Sequence, residues 1–120
     1  MKPIILKQDL KTEFSTGERC YIIESANATN DHLSIARARV EPGVTTKWHC
    51  VEGTEERYIL AEGRGRVEIG DLPAEEVGPG DVVLIPAGVR QRITNTGQID
   101  LIFFCVCTPP FKQEAYRELE

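Results

Sequence analysis

The sequence lacks the features that would direct it to a membrane or to nucleic acid. No apolar run approaches the roughly 20 residues that a membrane-spanning helix needs, and the apolar stretch at residues 4–6 is too short for a signal peptide. The chain has 14 Lys and Arg against 19 Asp and Glu, a formal net charge of −5. It therefore lacks the basic surface with which proteins bind phosphate backbones and anionic lipids. We expect a cytoplasmic protein that binds neither nucleic acid nor a membrane.

The four cysteines lack the spacing of a metal-binding or redox motif. Cys20, Cys50, Cys105 and Cys107 include no Cys-x-x-Cys pair. In a strand, Cys105 and Cys107 would share one face at about 6.6 Å, near the upper limit for a disulfide. We therefore expect buried free thiols. The sequence does not say which face of their strand points inward, and an inward thiolate would be a soft ligand for a metal.

What the sequence does contain is a series of short β-favouring segments. With 120 residues, 41% of them hydrophobic, the chain is long enough for one core, and we predict a single domain over residues 1–120. Glycine or proline turns separate the segments, and the pair Pro42-Gly43 is typical of a type II turn. The predicted strands span residues 19–24, 33–40, 45–50, 56–61, 66–69, 74–77, 82–85, 91–96 and 101–107. This spacing favours a closed or sandwiched all-β fold.

The two ends of the chain carry different patterns. The apolar residues 4–6 predict an edge strand, followed by an irregular connection. Beyond Pro109-Pro110, the residues Phe111, Ala115 and Leu119 recur at intervals of four, which predicts one short C-terminal helix.

Two glycine-bounded segments stand out among the strands. The first, residues 43–63, contains His49 and Glu56, and the second, residues 80–95, contains Gln91. The positions with characteristic spacing are Gly43, His49, Glu56 and Gly63, then Gly80, Pro86, Gly88 and Asn95. This spacing resembles the two motifs of the cupin superfamily, in its small single-domain, RmlC-like form. The resemblance implies a double-stranded β-helix, that is, a jelly-roll barrel, to which the short C-terminal helix is added.

The resemblance also implies a divalent metal site inside the barrel, which in the family is held by histidines and a glutamate. Here Val51 stands at the second histidine position and Gln91 at the last. Because residues two apart in a strand share a face, an inward His49 brings Val51 inward, and valine cannot bind an ion. The remaining donors are His49, Glu56 and Gln91, and we predict that they bind an ion such as Mn, Fe, Ni or Zn. The alternative is a barrel without an ion, in which His49 and Glu56 form a titrating pair.

Three residues are the predicted catalytic groups: Glu56, His49 and Tyr58. Tyr58 shares a strand face with Glu56 and should point inward, where it would donate a proton, contact a ligand or pack against the wall. Arg64 and Arg90 lie near turns, from which a guanidinium could reach an anionic substrate at the mouth.

Two classes of function follow from the resemblance. The first is a metal-dependent enzyme of isomerase or lyase type, acting on a small polar metabolite such as a sugar or a sugar phosphate. The second is a non-catalytic module that binds a small molecule or a sugar and keeps only a vestigial metal site. In both cases small cupins usually form homodimers, which would cover exposed strand edges.

Overall fold

The computed structural model describes residues 2–24 and 31–120, and within these residues the regular secondary structure is almost entirely β-strand. The described residues form eleven strands: β1 (Phe14–Gly17), β2 (Cys20–Glu24), β3 (Ser34–Val40), β4 (His49–Val51), β5 (Glu55–Glu62), β6 (Gly65–Ile69), β7 (Glu75–Val77), β8 (Val82–Ile85), β9 (Gln91–Asn95), β10 (Leu101–Thr108) and β11 (Tyr116–Glu118). The helical segments of the same residues are two 3-10 turns, Leu10–Thr12 and Gln113–Ala115. In this part of the chain no helix is long and apolar enough to cross a membrane.

The strands form two antiparallel sheets that pack face to face. One sheet has the order β1-β2-β3-β10-β5-β8, and the other has the order β11-β4-β9-β6-β7. Strand β10 pairs with both β3 and β5, and β9 pairs with both β4 and β6. The chain passes repeatedly from one sheet to the other, which is the arrangement of a jelly-roll barrel. The prediction of an all-β jelly-roll fold is thereby confirmed.

Alternating side chains along the strands place the core between the sheets. In β3, Ala38 and Val40 are buried, whereas Arg37 and Arg39 point to the outer face. The core joins side chains of both sheets, such as Leu60 and Ile93, each almost fully buried. Burial of one large aliphatic side chain stabilises the fold by about 1.5–3 kcal/mol, so this shared core holds the sheets together.

Two motif glycines occupy positions that a side chain would disturb. Gly43 has φ +80°, and Val44 N donates to Glu41 O at 3.2 Å, which confirms the predicted type II turn. Gly63 also has positive φ, and a Cβ atom there would lie 2.8 Å from Asp100 O. At both positions the motif residue serves backbone geometry rather than chemistry.

Asn95, the last residue of the second motif, has a structural role. Its side chain is buried, and its Nδ2 donates to Val40 O and to Ile99 O, each at 2.8 Å. Its Oδ1 accepts from Gly97 N at 2.9 Å. The amide therefore joins the end of β9 to β3 and shapes the loop that leads into β10.

The C-terminal segment differs from the predicted helix. Only Gln113–Ala115 is helical, as a 3-10 turn, and Tyr116–Glu118 forms strand β11 against β4. The backbone N–H of Leu119 donates to Trp48 O at 2.9 Å. So short a helix is marginal on its own, whereas the edge of β4 offers hydrogen-bond partners, so tertiary pairing overrides the local periodicity.

The prediction of an edge strand at residues 4–6 is wrong. Among the described residues the first strand is β1, and residues 2–9 contain no strand. Three consecutive apolar side chains cannot all face one side of a strand, and here Ile4, Ile5 and Leu6 remain exposed. The strand predicted at residues 45–50 is also shorter, because β4 begins only at His49.

Candidate functional site

A cavity of about 880 Å³ lies between the inner faces of the two sheets. Strands β3, β5 and β10 line one side of it, and β4 and β11 line the other. Segments near both ends of the chain, within residues 14–18 and 111–118, border it as well. Its volume lies within the range of about 300–1,000 Å³ that is typical of small-molecule sites.

A buried hydrogen-bond network at the cavity wall joins the two sheets. Glu56 on β5 is 6% exposed and accepts a hydrogen bond from Gln91 Nε2 at 2.7 Å. Gln91 on β9 is 1% exposed, and its Oε1 accepts from the Tyr58 hydroxyl. Cys107 lies directly opposite Glu56 in the pairing of β10 with β5, and its thiol also hydrogen-bonds the carboxyl. The network satisfies these buried polar groups and fixes the carboxyl in place.

Burial sets the protonation of this network. It raises the pKa of Glu56 above its usual 4.5, although the hydrogen bond from Gln91, the charge of His49 and the hydrogen bond with Cys107 all lower it. Burial also raises the pKa of Tyr58 well above its usual 10, so the hydroxyl keeps its proton at neutral pH. The pKa of Cys107 rises to about 12 for the same reason, which keeps the thiol protonated. Glu56 is therefore the member of the network that exchanges its proton most readily.

His49 lies at the start of β4, opposite Gln91 in the pairing of β4 with β9. Its Nδ1 is 2.8 Å from Lys47 O. A carbonyl oxygen can only accept, so Nδ1 donates, and in the neutral ring Nε2 would be the nitrogen without a proton. The ring of Tyr116 stacks on the imidazole, with centroids 5.1 Å apart and planes at 24°. Strand β11 thus orients the histidine from the side of the cavity.

The structure brings together all four residues that the sequence singled out. His49, Glu56 and Tyr58 line the cavity, and Gln91 lies behind Glu56 and Tyr58 as their shared partner. The ring of Tyr58 also packs against Phe103, with centroids 4.7 Å apart. The catalytic and metal-binding roles of these residues remain predictions.

The orientation of β10, which the sequence left open, is now clear. Cys105 and Cys107 both point inward and line the cavity. All four cysteines are free, as expected, with Cys105 half-buried and the others buried. Burial raises the pKa of Cys105 well above its usual 9.0 as well, so neither inward sulfur is a thiolate at neutral pH.

An ion at the predicted donor set would have to displace hydrogen bonds that these side chains make within the network. Gln91 presents its amide nitrogen to Glu56, so the two side chains bond to each other instead of converging on a shared ion. The amide oxygen of Gln91 accepts from Tyr58, and Val51 supplies an apolar wall. Within residues 2–24 and 31–120, no three His, Cys, Asp or Glu side chains are grouped so that they could hold a metal.

The two arginines expected at the mouth, Arg64 and Arg90, are not among the residues that line the cavity. The guanidinium of Arg90 lies 4.6 Å from the ring centroid of Trp48, on the outer face of the five-stranded sheet, and pairs with Asp71 at 3.6 Å. Arg64 lies beside Gly78. The cation–π contact and the ion pair draw Arg90 outward.

Sequence reasoning missed two residues of the site. Tyr116 was not predicted as a site residue because its segment was expected to be helical. Only the pairing of β11 with β4 places its ring on His49. Cys107 was noted as a thiol but not as a partner of Glu56, since the register of β10 against β5 cannot be read from spacing. In neither case did the sequence carry a specific signal.

Comparisons with known proteins agree with this architecture. The family model for the cupin domain matches residues 36–107. MJ1618, an uncharacterized protein of Methanocaldococcus jannaschii, is 36% identical over 87 residues, which cover 72% of this chain and 69% of that protein.

Two solved structures show the same fold at low sequence identity. The Streptomyces nucleoside dehydratase Pac13 has a TM-score of 0.77 at 14% identity, covering 95% of this chain and 90% of that one. KdgF from Halomonas sp. has a TM-score of 0.74 at 14% identity, covering 85% and 88%. The family match over more than half of the chain, together with the barrel and its two motifs, establishes that this protein belongs to the cupin family.

Proposed function

We propose that this cupin is an enzyme of isomerase or lyase type, which transfers protons with Glu56 and His49 on a small polar metabolite bound in the cavity. One observation carries the proposal. A buried carboxyl, whose pKa burial raises, lines the cavity together with an imidazole whose Nδ1 donates to a backbone carbonyl. A carboxyl and an imidazole in one cavity can serve as the acid and the base of general acid–base catalysis.

Each side chain has a separate task in this chemistry. Nε2 of His49 accepts a proton from the substrate, and the protonated Glu56 donates one to a leaving hydroxyl or a neighbouring oxygen. Isomerisation and dehydration both need one such removal and one such delivery. Gln91 holds the carboxyl and Tyr116 holds the imidazole. Tyr58, which donates to Gln91, takes part as a positioning residue.

The structural relatives support this class of reaction in general terms. Pac13 is a nucleoside dehydratase, and variants of it have been solved with uridine. The likeness at 14% identity extends to the fold alone. Removal of water from a hydroxyl-bearing compound is nevertheless one of the two reaction types proposed here, and uridine is a natural first probe.

The second candidate is a module that binds a small molecule or sugar without converting it. It is favoured by the apolar character of part of the wall, where Val51 stands in place of a ligand histidine and Phe103 packs beside Tyr58. Such a pocket would hold a ligand by contact and hydrogen bonding alone.

A panel of sugars, sugar phosphates and nucleosides, followed by ¹H NMR for binding and then for conversion, distinguishes the two candidates. We expect turnover that falls by about 10²- to 10⁴-fold in Glu56→Gln and in His49→Gln. Glu52→Gln, an exposed carboxylate outside the cavity lining, is the matched control and should keep wild-type activity. Binding without conversion would support the module, and the absence of both would contradict both candidates.

A divalent ion at His49, Glu56 and Gln91 is a separate proposal, and the proton transfers above use the side chains alone. Elemental analysis of protein purified without chelator or nickel column tests it. Near-stoichiometric metal that is lost in His49→Ala and in Glu56→Ala would support a three-donor site. Metal-free wild type that is not stabilised by added Mn, Fe, Ni or Zn would contradict it.

We further propose that the protein is a cytoplasmic homodimer formed through the outer face of the six-stranded sheet. In the register of β8, β5 and β10, Val82 lies opposite Ile59, and Ile59 lies opposite Phe104. Val82, Ile59 and the nearby Leu84 are all exposed. A second copy would cover this apolar row and the edge of β8.

A further inference from the structure

The charged side chains that line the cavity are predominantly acidic. Glu18, Glu24, Glu56 and Glu118 contribute carboxyl groups, whereas the basic side chains of the described lining are Lys47 and His49. Glu24 follows Cys20 and Ile22 on the inner face of β2, and Glu118 lies opposite His49 in the pairing of β11 with β4.

The single lysine of the described lining is already paired. Lys47 Nζ lies 3.1 Å from Glu118 Oε1, so the two side chains form an ion pair. No arginine is among the described lining residues, and residues 25–30 contain neither Lys nor Arg.

Arg39 on β3 and Arg92 on β9 form ion pairs outside the cavity. Arg39 bonds to Glu13 at 2.8 Å and to Asp100 at 3.2 Å on the outer face of the six-stranded sheet. Arg92 pairs with Glu68 at 2.9 Å on the outer face of the five-stranded sheet. Within the described part of the chain, a phosphate or carboxylate entering the cavity would therefore meet no free guanidinium and would face the carboxylates of Glu18 and Glu24.

We infer that the cavity selects a hydroxyl-bearing ligand without negative charge and rejects the phosphorylated or carboxylated form of the same compound. The inference rests on the proposed function and deepens it, because it excludes sugar phosphates from the substrate classes named above. Carboxylates and the backbone accept hydrogen bonds from hydroxyl groups. Aromatic rings of the lining, Tyr58, Phe103 and Tyr116, offer faces for the apolar side of a sugar or a base.

Pairs of ligands that differ in charge test whether the cavity disfavours a negative charge on the ligand. We would measure by ¹H NMR or calorimetry the dissociation constants of uridine and uridine 5′-monophosphate, and of glucose, glucosamine and glucose 6-phosphate. The neutral member of each pair that binds should bind at least about tenfold tighter than its phosphate at low salt. Glucosamine should bind no more weakly than glucose.

Two further measurements distinguish electrostatic repulsion of the phosphate by the cavity from steric exclusion. The ratio of the dissociation constant of the phosphate to that of its neutral partner should shrink in 1 M salt, where the screening length falls to about 3 Å. It should also shrink in the triple variant Glu18→Gln, Glu24→Gln, Glu118→Gln, which removes rim charge and releases Lys47. Glu62→Gln removes an exposed carboxylate outside the lining and should leave the ratio unchanged.

Three results would contradict the inference, and they differ in what they imply for the proposed function. A phosphate that binds as tightly as its neutral partner overturns the inference and leaves the proposed acid–base function intact. A preference that neither salt nor the triple variant reduces is steric, and overturns the charge argument. If no compound of the panel binds with a dissociation constant below about 1 mM, which corresponds to about −4 kcal/mol, both the inference and the proposed function fail.

Discussion

At the scale of single residues, two opposing effects determine the pKa of Glu56. Burial disfavours its charge, while Gln91, His49 and Cys107 stabilise the carboxylate, and burial prevails. The hydrogen bond from Gln91 crosses from one sheet to the other. The protonation of Glu56 is therefore coupled to the stability of the barrel.

The stability difference between wild type and Glu56→Gln should depend on pH. Because the folded pKa of Glu56 lies above its usual 4.5, the folded state binds more protons than the unfolded state above that pH. The unfolding free energy of wild type should therefore fall relative to the variant as pH rises from 4.5, and level off above the folded pKa. The amide oxygen that the substitution introduces can still accept from Gln91, so the variant should keep the fold.

Urea unfolding of both proteins between pH 4 and pH 8 measures this difference. A difference that stays constant over the range, or that moves in favour of wild type with rising pH, would show that the folded pKa is not raised.

Tyr116 should position the imidazole of His49 through its ring and not through its hydroxyl. Tyr116→Phe keeps the stacked ring and should leave the ¹H shifts of the His49 ring nearly unchanged. Tyr116→Leu removes the ring, so these shifts should move, and stability should fall by about 0.5–1.5 kcal/mol. Equal spectra for the two variants would refute the stacking in solution.

At the scale of elements, β11 completes the wall of the site. It is short, yet its residues pair with β4 directly at His49. Glu52 N donates to Ala115 O at 2.8 Å and Leu119 N donates to Trp48 O at 2.9 Å, so backbone bonds secure it at both ends. The position of His49 thus depends on a strand that lies far away in the sequence.

Leu119→Pro should destabilise the protein more than Leu119→Ala. Proline removes the N–H that donates to Trp48 O, whereas alanine keeps it, and the leucine side chain itself is exposed. We expect the proline variant to be about 1–3 kcal/mol less stable than the alanine variant in thermal or urea unfolding. Equal stability of the pair would mean that the end of β11 is not paired in solution.

At the scale of the whole molecule, the outer face of the six-stranded sheet carries an exposed apolar row. The row formed by Val82, Ile59 and Phe104 is apolar on a surface that is otherwise rich in charge, and β8 is the edge of its sheet. Exposed apolar edges invite pairing with another chain. The proposed homodimer would give this face a partner.

Leu84→Glu should convert the proposed dimer to a monomer. A charge beside the apolar row should weaken association by about 2 kcal/mol or more, roughly 30-fold. Sedimentation velocity over a range of concentrations measures the change. Leu72→Glu is the control, since Leu72 is exposed but lies in the turn after β6 and outside this row. A wild type that sediments as a monomer would rule out the homodimer, and an equal effect of both variants would rule out this face.

The sequence by itself determined the fold family and four residues of the site. Gly43 and Gly63 mark backbone positions where a side chain would be strained or would clash, and such positions remain readable as spacing. Period-2 alternation located most strands, because each strand has one buried face. The same alternation placed Glu56 and Tyr58 on the inner face.

Only the tertiary structure decided how these residues are connected. The Gln91–Glu56 bond joins different sheets, and the Cys107–Glu56 pair depends on strand register, so neither follows from local spacing. The C-terminal residues became a strand because the edge of β4 was available, which outweighed their helical periodicity. Long-range pairing between strands is a property of the folded chain, and it brings Glu56, Tyr58 and Gln91 into one hydrogen-bond network.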